Sequence, residues 1–194
     1  LEAIRSSCSD ARIRVDANGT WNAGEAVRKI NTLDEAVDGI VFVEQPVPYD
    51  DPAGLRHVRG EVTPSVMADE GCYTPADVAA LASRGAVDAI NVKPAKAGGI
   101  AGARRVVATA AAHGLPCYVG GMLELGIGAA AAAHFAIAAP ERAYPTGLLN
   151  ADAGGSVVTR PARWQPEGPS FVVPDDPGIG VSVDPDAVER YRVD

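Results

Sequence analysis

The chain has 194 residues, 47% of them hydrophobic and 22% charged, a composition typical of a folded globular protein. Its formal net charge of -8 argues against a nucleic-acid partner, because phosphate binding depends on clustered Lys and Arg side chains. No apolar run reaches the roughly 18 residues that a membrane span needs, and 3 cysteines without CxxC spacing favour reduced thiols in a cytoplasmic protein.

Short apolar runs alternate with Ala-rich helical patterns as far as residue 148. One helix is sharply delimited, because Thr74 is a favourable N-cap, Pro75 suits the first turn and Gly85 ends the pattern. Alternating strands and helices predict a parallel sheet with right-handed crossovers. The predicted strands are 11–18, 39–46, 64–70, 87–94, 115–121 and 142–148, and the predicted helices are 22–37, 51–59, 74–85, 99–113 and 125–139.

Polar or small residues recur at the ends of the predicted strands, 24 to 28 positions apart. This spacing is roughly that of one strand, helix and loop unit, so each residue is expected at the same end of a successive parallel strand. The residues in this register are Asp16, Glu44, Asp69, Lys93, Gly120 and Thr146.

A closed (β/α)8 TIM barrel brings all strand ends to one mouth, whereas an open doubly wound sheet brings together only those at its switch point. Six units are recognisable, so the sequence predicts an α/β TIM barrel of which about two units precede Leu1. The chain is therefore expected to be part of a longer protein. Residues 1–148 are predicted to form the partial barrel, and 149–194, rich in Gly and Pro, a C-terminal extension.

Three carboxylates on consecutive strands, Asp16, Glu44 and Asp69, predict a metal site. Buried like charges raise one another's pKa unless a cation neutralises them. Ligands that are all oxygen favour a hard ion, and Mg²⁺ bound by few carboxylates leaves positions open for substrate oxygens. The alternative for Asp16, considered with Asn18, is an ordinary turn at the end of a strand.

Lys93 is expected to point into the barrel mouth, where burial and a neighbouring cation would lower its pKa and suit it to acid/base catalysis. Lys96 is interpreted as a loop or helix-entry charge. Glu124 either faces the mouth or caps the next helix. The glycine pairs at 98–99 and 120–121 either cradle a phosphate at a helix N-terminus or allow close backbone approach.

Five ordered motifs within residues 10–140 resemble the barrel of the enolase superfamily, and within it the muconate-lactonizing-enzyme subgroup of the mandelate racemase/muconate lactonizing enzyme group. The motifs are RVDANGTW, VFVEQP, MADE, INVKPAKAGGI and GGMLELGIGAAAAAH.

The resemblance implies an essential Mg²⁺ bound by Asp16, Glu44 and Asp69, with Lys93 as the acid/base on the sixth strand. It also implies that Asn18 lies beside the metal and the substrate, and Glu124 is a further candidate for substrate binding. An N-terminal α+β capping domain, with which the C-terminal extension would pack, and a homo-oligomer are expected on the same ground.

The reaction implied by the resemblance removes the proton α to a substrate carboxylate and forms a metal-stabilised enediolate. Racemisation, loss of water or the reverse of lactone formation would follow, as in muconate cycloisomerases, o-succinylbenzoate synthases and N-acylamino acid racemases. A small-molecule carboxylate is the expected partner.

Two departures leave the substrate open. The family's Lys-x-Lys on the second strand would precede Leu1. AYPTGLLN lacks both the Asp-x-Asp of Ala-Glu-type dipeptide epimerases and the Glu of muconate cycloisomerases, whose position Gly147 occupies. A cycloisomerisable diacid, an o-succinylbenzoate precursor and an N-acylated amino acid remain. The alternative functions are a phosphate-binding barrel enzyme that uses the late glycines and a non-catalytic barrel.

Overall fold

The computed structural model describes residues 1–139, 144–147, 157–159, 173 and 177–193. Within these residues, five short parallel strands form one sheet and lie in it in their order along the chain. The strands are β1 (Val15–Asp16), β2 (Phe42–Glu44), β3 (Ser65–Ala68), β4 (Ala89–Val92) and β5 (Cys117–Val119).

Helices connect the successive strands, as a parallel sheet requires. The described helices are α1 (Glu2–Ser7), α2 (Ala23–Val37), α3 (Pro52–Glu61), α4 (Pro75–Arg84), α5 (Ile100–Ala112), α6 (Gly126–Ala138) and α7 (Pro185–Tyr191). None of these helices is both long and apolar enough to cross a membrane.

The order of the sheet is that of a barrel wall, in which each new strand adds beside the preceding one. The succession continues past β5, because the Gly147 amide donates to the Val119 carbonyl at 3.1 Å and Gly147 bridges Gly120 in parallel orientation. Of the predicted last strand, 142–148, only residues 144–147 are among those described.

Helix α4 begins and ends where the sequence predicts. The Thr74 hydroxyl accepts from the Asp77 amide at 3.3 Å, and the Asp77 carboxylate accepts from the Thr74 amide at 2.8 Å, which forms a capping box. Gly85 ends the helix with φ 58°, a left-handed conformation that glycine adopts without steric strain.

The strands are shorter than predicted, and the difference is largest for β1, which has two paired residues in place of the predicted 11–18. A ladder needs a partner at each position, and among the residues that the structure describes β1 pairs on one side only, with β2. The Val41 amide still donates to the Ile13 carbonyl at 2.9 Å, so the chains run side by side before the regular ladder begins.

The two faces of the sheet are buried in different surroundings, as expected of a parallel sheet covered on both sides. One face packs against the helices, with Val43, Val66 and Ile90 in the main apolar core. The other face carries a separate cluster that includes Phe42 and Ala89. Because side chains alternate along a strand, the last residue of β2 lies on the Phe42 face, at the mouth.

The C-terminal residues that the structure describes contain strands β6 (Val158–Thr159) and β7 (Ser182–Val183), which pair antiparallel. Val173, Ile179 and Val181 pack against Ala130 and Ala133 of α6. Much of the predicted extension, including 160–172, lies outside the described residues.

Candidate active site

The carboxylates that the sequence singles out lie at the carboxyl ends of three neighbouring strands. Asp16 ends β1, Glu44 ends β2, and the two are direct partners in the parallel ladder. Asp69 follows β3 immediately, and Lys93 follows β4. Because β1 to β4 are adjacent in the sheet, all four residues belong to one edge of it.

Lys93 lies between two of these carboxylates. Its ammonium donates to Asp69 Oδ2, and its Nζ is 3.9 Å from Glu44 Oε1. The side chain of Lys93 is 13% exposed, so it is largely withdrawn from solvent. The structure thus groups the expected acid/base with two of the three expected metal ligands.

Lys96 lies in the loop after β4, as predicted, but it is not a solvated charge. Its side chain is 3% exposed, and its Nζ donates to both the Asp69 carbonyl oxygen and Asp69 Oδ1 at 2.6 Å. The loop turns back after the strand, since the Ala97 amide donates to the Lys93 carbonyl at 3.1 Å. The sequence alone did not indicate that Lys96 lies over Asp69, because this contact depends on the turn of the loop after β4.

The lysines and Asp69 shift one another's pKa. Burial raises the pKa of Asp69, but the charge of Lys96 and the hydrogen bonds from both lysines outweigh it, and the net pKa is lowered. Burial lowers the pKa of Lys93, but the hydrogen bond and charge of Asp69 raise it above its ordinary value. The expected lowering for Lys93 assumed a neighbouring cation, whereas its neighbours in this structure are carboxylates, which raise its pKa.

The pKa of Glu44 shifts in the opposite direction to that of Asp69. Burial, and then the charge of Asp16, raises its pKa to about 7, against the hydrogen bond from Asn91. Asn91 Nδ2 donates to Glu44 Oε1 at 2.6 Å, and its Oδ1 accepts from the Gly120 amide at 3.0 Å. Asn91 was missed in the sequence, although it lies two residues before Lys93 and therefore on the same face of the strand.

Gln45 is a second residue that the sequence did not single out. It is fully buried, and its Oε1 accepts from the Asp69 amide at 2.9 Å and from the Gly71 amide at 3.1 Å. Its Nε2 donates to the Val47 carbonyl at 2.9 Å, and its φ of 33° is unusual for a residue with a side chain. Gln45 therefore ties the ends of β2 and β3 together.

Asp16 and Asn18 form the turn that was the alternative interpretation, at the edge of the same site. Asp16 Oδ1 accepts from the Asn18 amide at 2.9 Å, and its Oδ2 accepts from Asn18 Nδ2 at 3.0 Å. The Asn18 side chain also donates to Glu70 Oε1 at 3.1 Å, so the turn is linked to the residue after Asp69. Both Asp16 and Asn18 are exposed.

Glu124 does not cap α6, because the N-cap residue is Leu125 and it makes no side-chain bond. Glu124 Oε2 accepts from the Met122 amide at 2.8 Å instead. No hydrogen bond or ion pair among the described residues joins Glu124 to the strand-end carboxylates. Gly120 follows the close-approach interpretation, since a Cβ there would lie 2.7 Å from the Asn91 side chain.

These side chains do not form a ready-made metal centre. Among the residues that the structure describes, no three His, Cys, Asp or Glu are grouped as a ligand set. The two lysines occupy both oxygens of Asp69, and Asn18 occupies those of Asp16. What the arrangement offers is a lysine between two buried carboxylates at the carboxyl edge of the sheet.

The parallel strands resemble part of the wall of an α/β barrel, and the acidic and basic side chains lie at their carboxyl ends. This is where barrel enzymes have their sites. A family profile described as "Enolase C-terminal domain-like" matches residues 1–187. The chain belongs to this family, which confirms the resemblance seen in the motifs.

Similar proteins include the L-Ala-D/L-Glu epimerase of Bacillus subtilis, 43% identical over 70% of this chain and 37% of that protein. Muconate cycloisomerase 1 of Rhodococcus opacus is 36% identical over 93% of this chain and 48% of its own length. The solved structure of the muconate lactonizing enzyme from Pseudomonas putida is 29% identical, with a TM-score of 0.90 over 98% of this chain and 53% of that one. The barrel fold is thereby confirmed, and the chain spans about half the length of the relatives it matches.

Proposed function

We propose that this chain supplies the catalytic barrel portion of a Mg²⁺-dependent isomerase or lyase that removes the proton α to a substrate carboxylate. The observation that carries the proposal is the position of Lys93 between Glu44 and Asp69, at the mouth end of consecutive strands. Two similar proteins, an epimerase and a cycloisomerase, support the reaction class.

The donor set fits the metal in its chemistry. Asp16, Glu44 and Asp69 would hold Mg²⁺ through oxygen atoms, which this ion prefers. Burial and the charge of Asp16 raise the pKa of Glu44, so a cation bound at this position would favour its ionised form. When bound, the ion would hold the substrate carboxylate and offset the negative charge that develops on it.

Lys93 has the position and the atom for proton transfer. Its Nζ would take the α proton as a neutral amine and would return a proton as an ammonium. The hydrogen bond to Asp69 keeps Lys93 protonated by raising its pKa, so Lys93 must leave Asp69 Oδ2 before it can act as a base. The same movement would free that oxygen.

The neighbouring residues hold the mouth in shape. Asn91 fixes Glu44 and the backbone at Gly120 with one side chain, so two strand ends keep their spacing. Asn18 joins the turn after β1 to Glu70. We propose that Asn18 and Glu124 contact the substrate.

The test is exchange of the substrate α proton for deuterium, followed by NMR in D₂O with MgCl₂. A panel of N-acylated amino acids, o-succinylbenzoate precursors and the lactone acids formed from cycloisomerisable diacids covers the expected substrate classes, and dipeptides are added because of the similar epimerase. Lys93→Ala should lower the exchange rate by about 10²- to 10⁴-fold, the usual contribution of a positioned acid/base.

The matched control is Lys29→Ala. Lys29 lies on α2, where it forms an ion pair with Glu25 at 2.7 Å, and its replacement should leave exchange unchanged. Absence of exchange with every carboxylate, or equal rates for Lys93→Ala and the parent protein, would contradict the proposal.

A further inference from the structure

Lys96 makes contacts that the proposed proton transfer does not use. Its side chain is 3% exposed, compared with 13% for Lys93, so it is the more deeply buried of the two ammonium groups. Its Nζ also lies 5.6 Å from the centre of the Tyr73 ring, a cation–π contact. A buried ammonium is unfavourable unless it is paired, and the partner of Lys96 is Asp69.

The two lysines divide the oxygens of Asp69. Lys93 bonds to Oδ2, while Lys96 bonds to Oδ1 and to the main-chain carbonyl, both at 2.6 Å. The bond to the carbonyl distinguishes Lys96, because it fixes the backbone as well as the carboxylate. Departure of Lys93 from Oδ2 would leave these two bonds intact.

Asp69 is also held from its amide side. Gln45 Oε1 accepts from the Asp69 amide at 2.9 Å, so the amide and the carbonyl of Asp69 are both tied by buried side chains. With the backbone and Oδ1 fixed in this way, Oδ2 is the oxygen that can change partner.

We propose that Lys96 is a positioning residue that holds Asp69 through its carbonyl and Oδ1 and presents Oδ2 to the mouth. It acts through Asp69 and does not touch the substrate. The inference rests on the proposed function, in which Asp69 is a ligand of Mg²⁺.

A purely electrostatic role and a positioning role for Lys96 predict opposite changes in Mg²⁺ affinity when its ammonium is removed. If Lys96 were only a positive charge near the metal site, its loss would strengthen Mg²⁺ binding by removing repulsion. If it positions Asp69, its loss would weaken binding, because residues that orient metal ligands typically contribute about 10- to 100-fold in metal affinity. The sign of the change therefore separates the two roles.

The experiment is calorimetric titration of the intact protein with MgCl₂, in the absence of substrate. Lys96→Met keeps an unbranched side chain that is one atom shorter and removes the charge and donors, and we expect Mg²⁺ to bind it about 10- to 100-fold more weakly. Lys96→Arg, which restores charge and donors, should recover part of that loss.

Lys29→Met is the matched control, because Lys29 also combines an ion pair, at 2.7 Å from Glu25, with a ring contact, at 5.0 Å from Trp21. It should bind Mg²⁺ as the parent protein does. If Lys96→Met does not fold, Lys96→Gln provides the same comparison, because the shorter Gln side chain cannot bond to both the carbonyl oxygen and Oδ1 of Asp69.

Unchanged or tighter Mg²⁺ binding by Lys96→Met, or by Lys96→Gln in its place, would overturn the positioning role alone. A parent protein that binds no Mg²⁺ would overturn the proposed function together with this inference. Weaker binding by Lys96→Met with partial recovery by Lys96→Arg supports both.

Discussion

Asp16 and Asp69 are the same residue type at the same end of two strands of one sheet, yet their surroundings differ. Asp16 is exposed, and its carboxylate is bonded to Asn18 in its own turn. Asp69 is 3% exposed and is bonded to two lysines from the loop after β4. Strand position alone therefore does not decide how tightly a carboxylate is held.

The difference lies in the neighbouring strand. Asp69 is flanked by the loop after β4, which returns Lys96 over it, and by Gln45 at the end of β2. Asp16 ends the first strand of the sheet and has a sheet neighbour on one side only, among the described residues. Asp69 is therefore bonded from two segments that adjoin its own strand, whereas the bonds of Asp16 come from its own turn.

The largest effect should come from removing the charge of Asp69. Asp69→Asn leaves the buried Lys96 without its counter-charge, so we expect the free energy of unfolding to fall by about 3–5 kcal/mol. Asp16→Asn removes exposed bonds within a turn and should lower it by about 1 kcal/mol or less. Urea unfolding in EDTA measures both, and equal losses would contradict the comparison.

A smaller effect should appear in the pH dependence of stability. In the folded protein, burial and the charge of Asp16 raise the pKa of Glu44 from 4.5 to about 7. Between these values the folded state retains a proton that the unfolded chain releases, so the free energy of unfolding should fall as the pH rises through this window.

Thermal unfolding in EDTA across that window tests the effect, with Glu44→Gln as the comparison. The variant should lack the part of the slope that belongs to Glu44, so the difference between the two proteins isolates the contribution of this carboxyl. Identical slopes in both proteins would be evidence against the raised pKa.

The smallest of these effects is expected at Asn91, whose side chain joins Glu44 to the Gly120 amide after β5. Asn91→Leu leaves the Gly120 amide without its side-chain acceptor, and we expect the free energy of unfolding to fall by about 1–3 kcal/mol. Asn31→Leu is the control, because its weak contact with the Glu61 carbonyl at 3.5 Å is exposed. Chemical denaturation should show a clear loss for the first variant and almost none for the second.

Local signals predicted the fold well where the chemistry is local. The capping box at Thr74 and the left-handed Gly85 delimit α4 as expected, because each feature depends on residues within one turn. The strand ends were predicted less well. The pairing of β1 ends at Asp16, opposite Glu44, where β2 also ends. This end point depends on both strands and cannot be predicted from the sequence of one of them.

The residues at the carboxyl edge of the sheet were predicted better than the contacts between them. The spacing of Asp16, Glu44, Asp69 and Lys93 placed them at one edge, because the strand–helix unit has a nearly constant length. The bonds of Lys96 could not be predicted, because they depend on a loop that turns back over the neighbouring strand. The same holds for the raised pKa of Lys93, whose cause is the Asp69 carboxylate.

The sequence by itself determined the strand–helix alternation, the parallel sheet and which residues lie at its carboxyl edge, since these follow from periodicity and spacing. Only the tertiary structure decided which carboxylates are buried, which lysine holds Asp69 and how Asn91 and Gln45 join the strand ends. The physical reason is that burial and hydrogen bonding are set by segments 24 or more residues apart, as in the bond from Lys93 to Asp69.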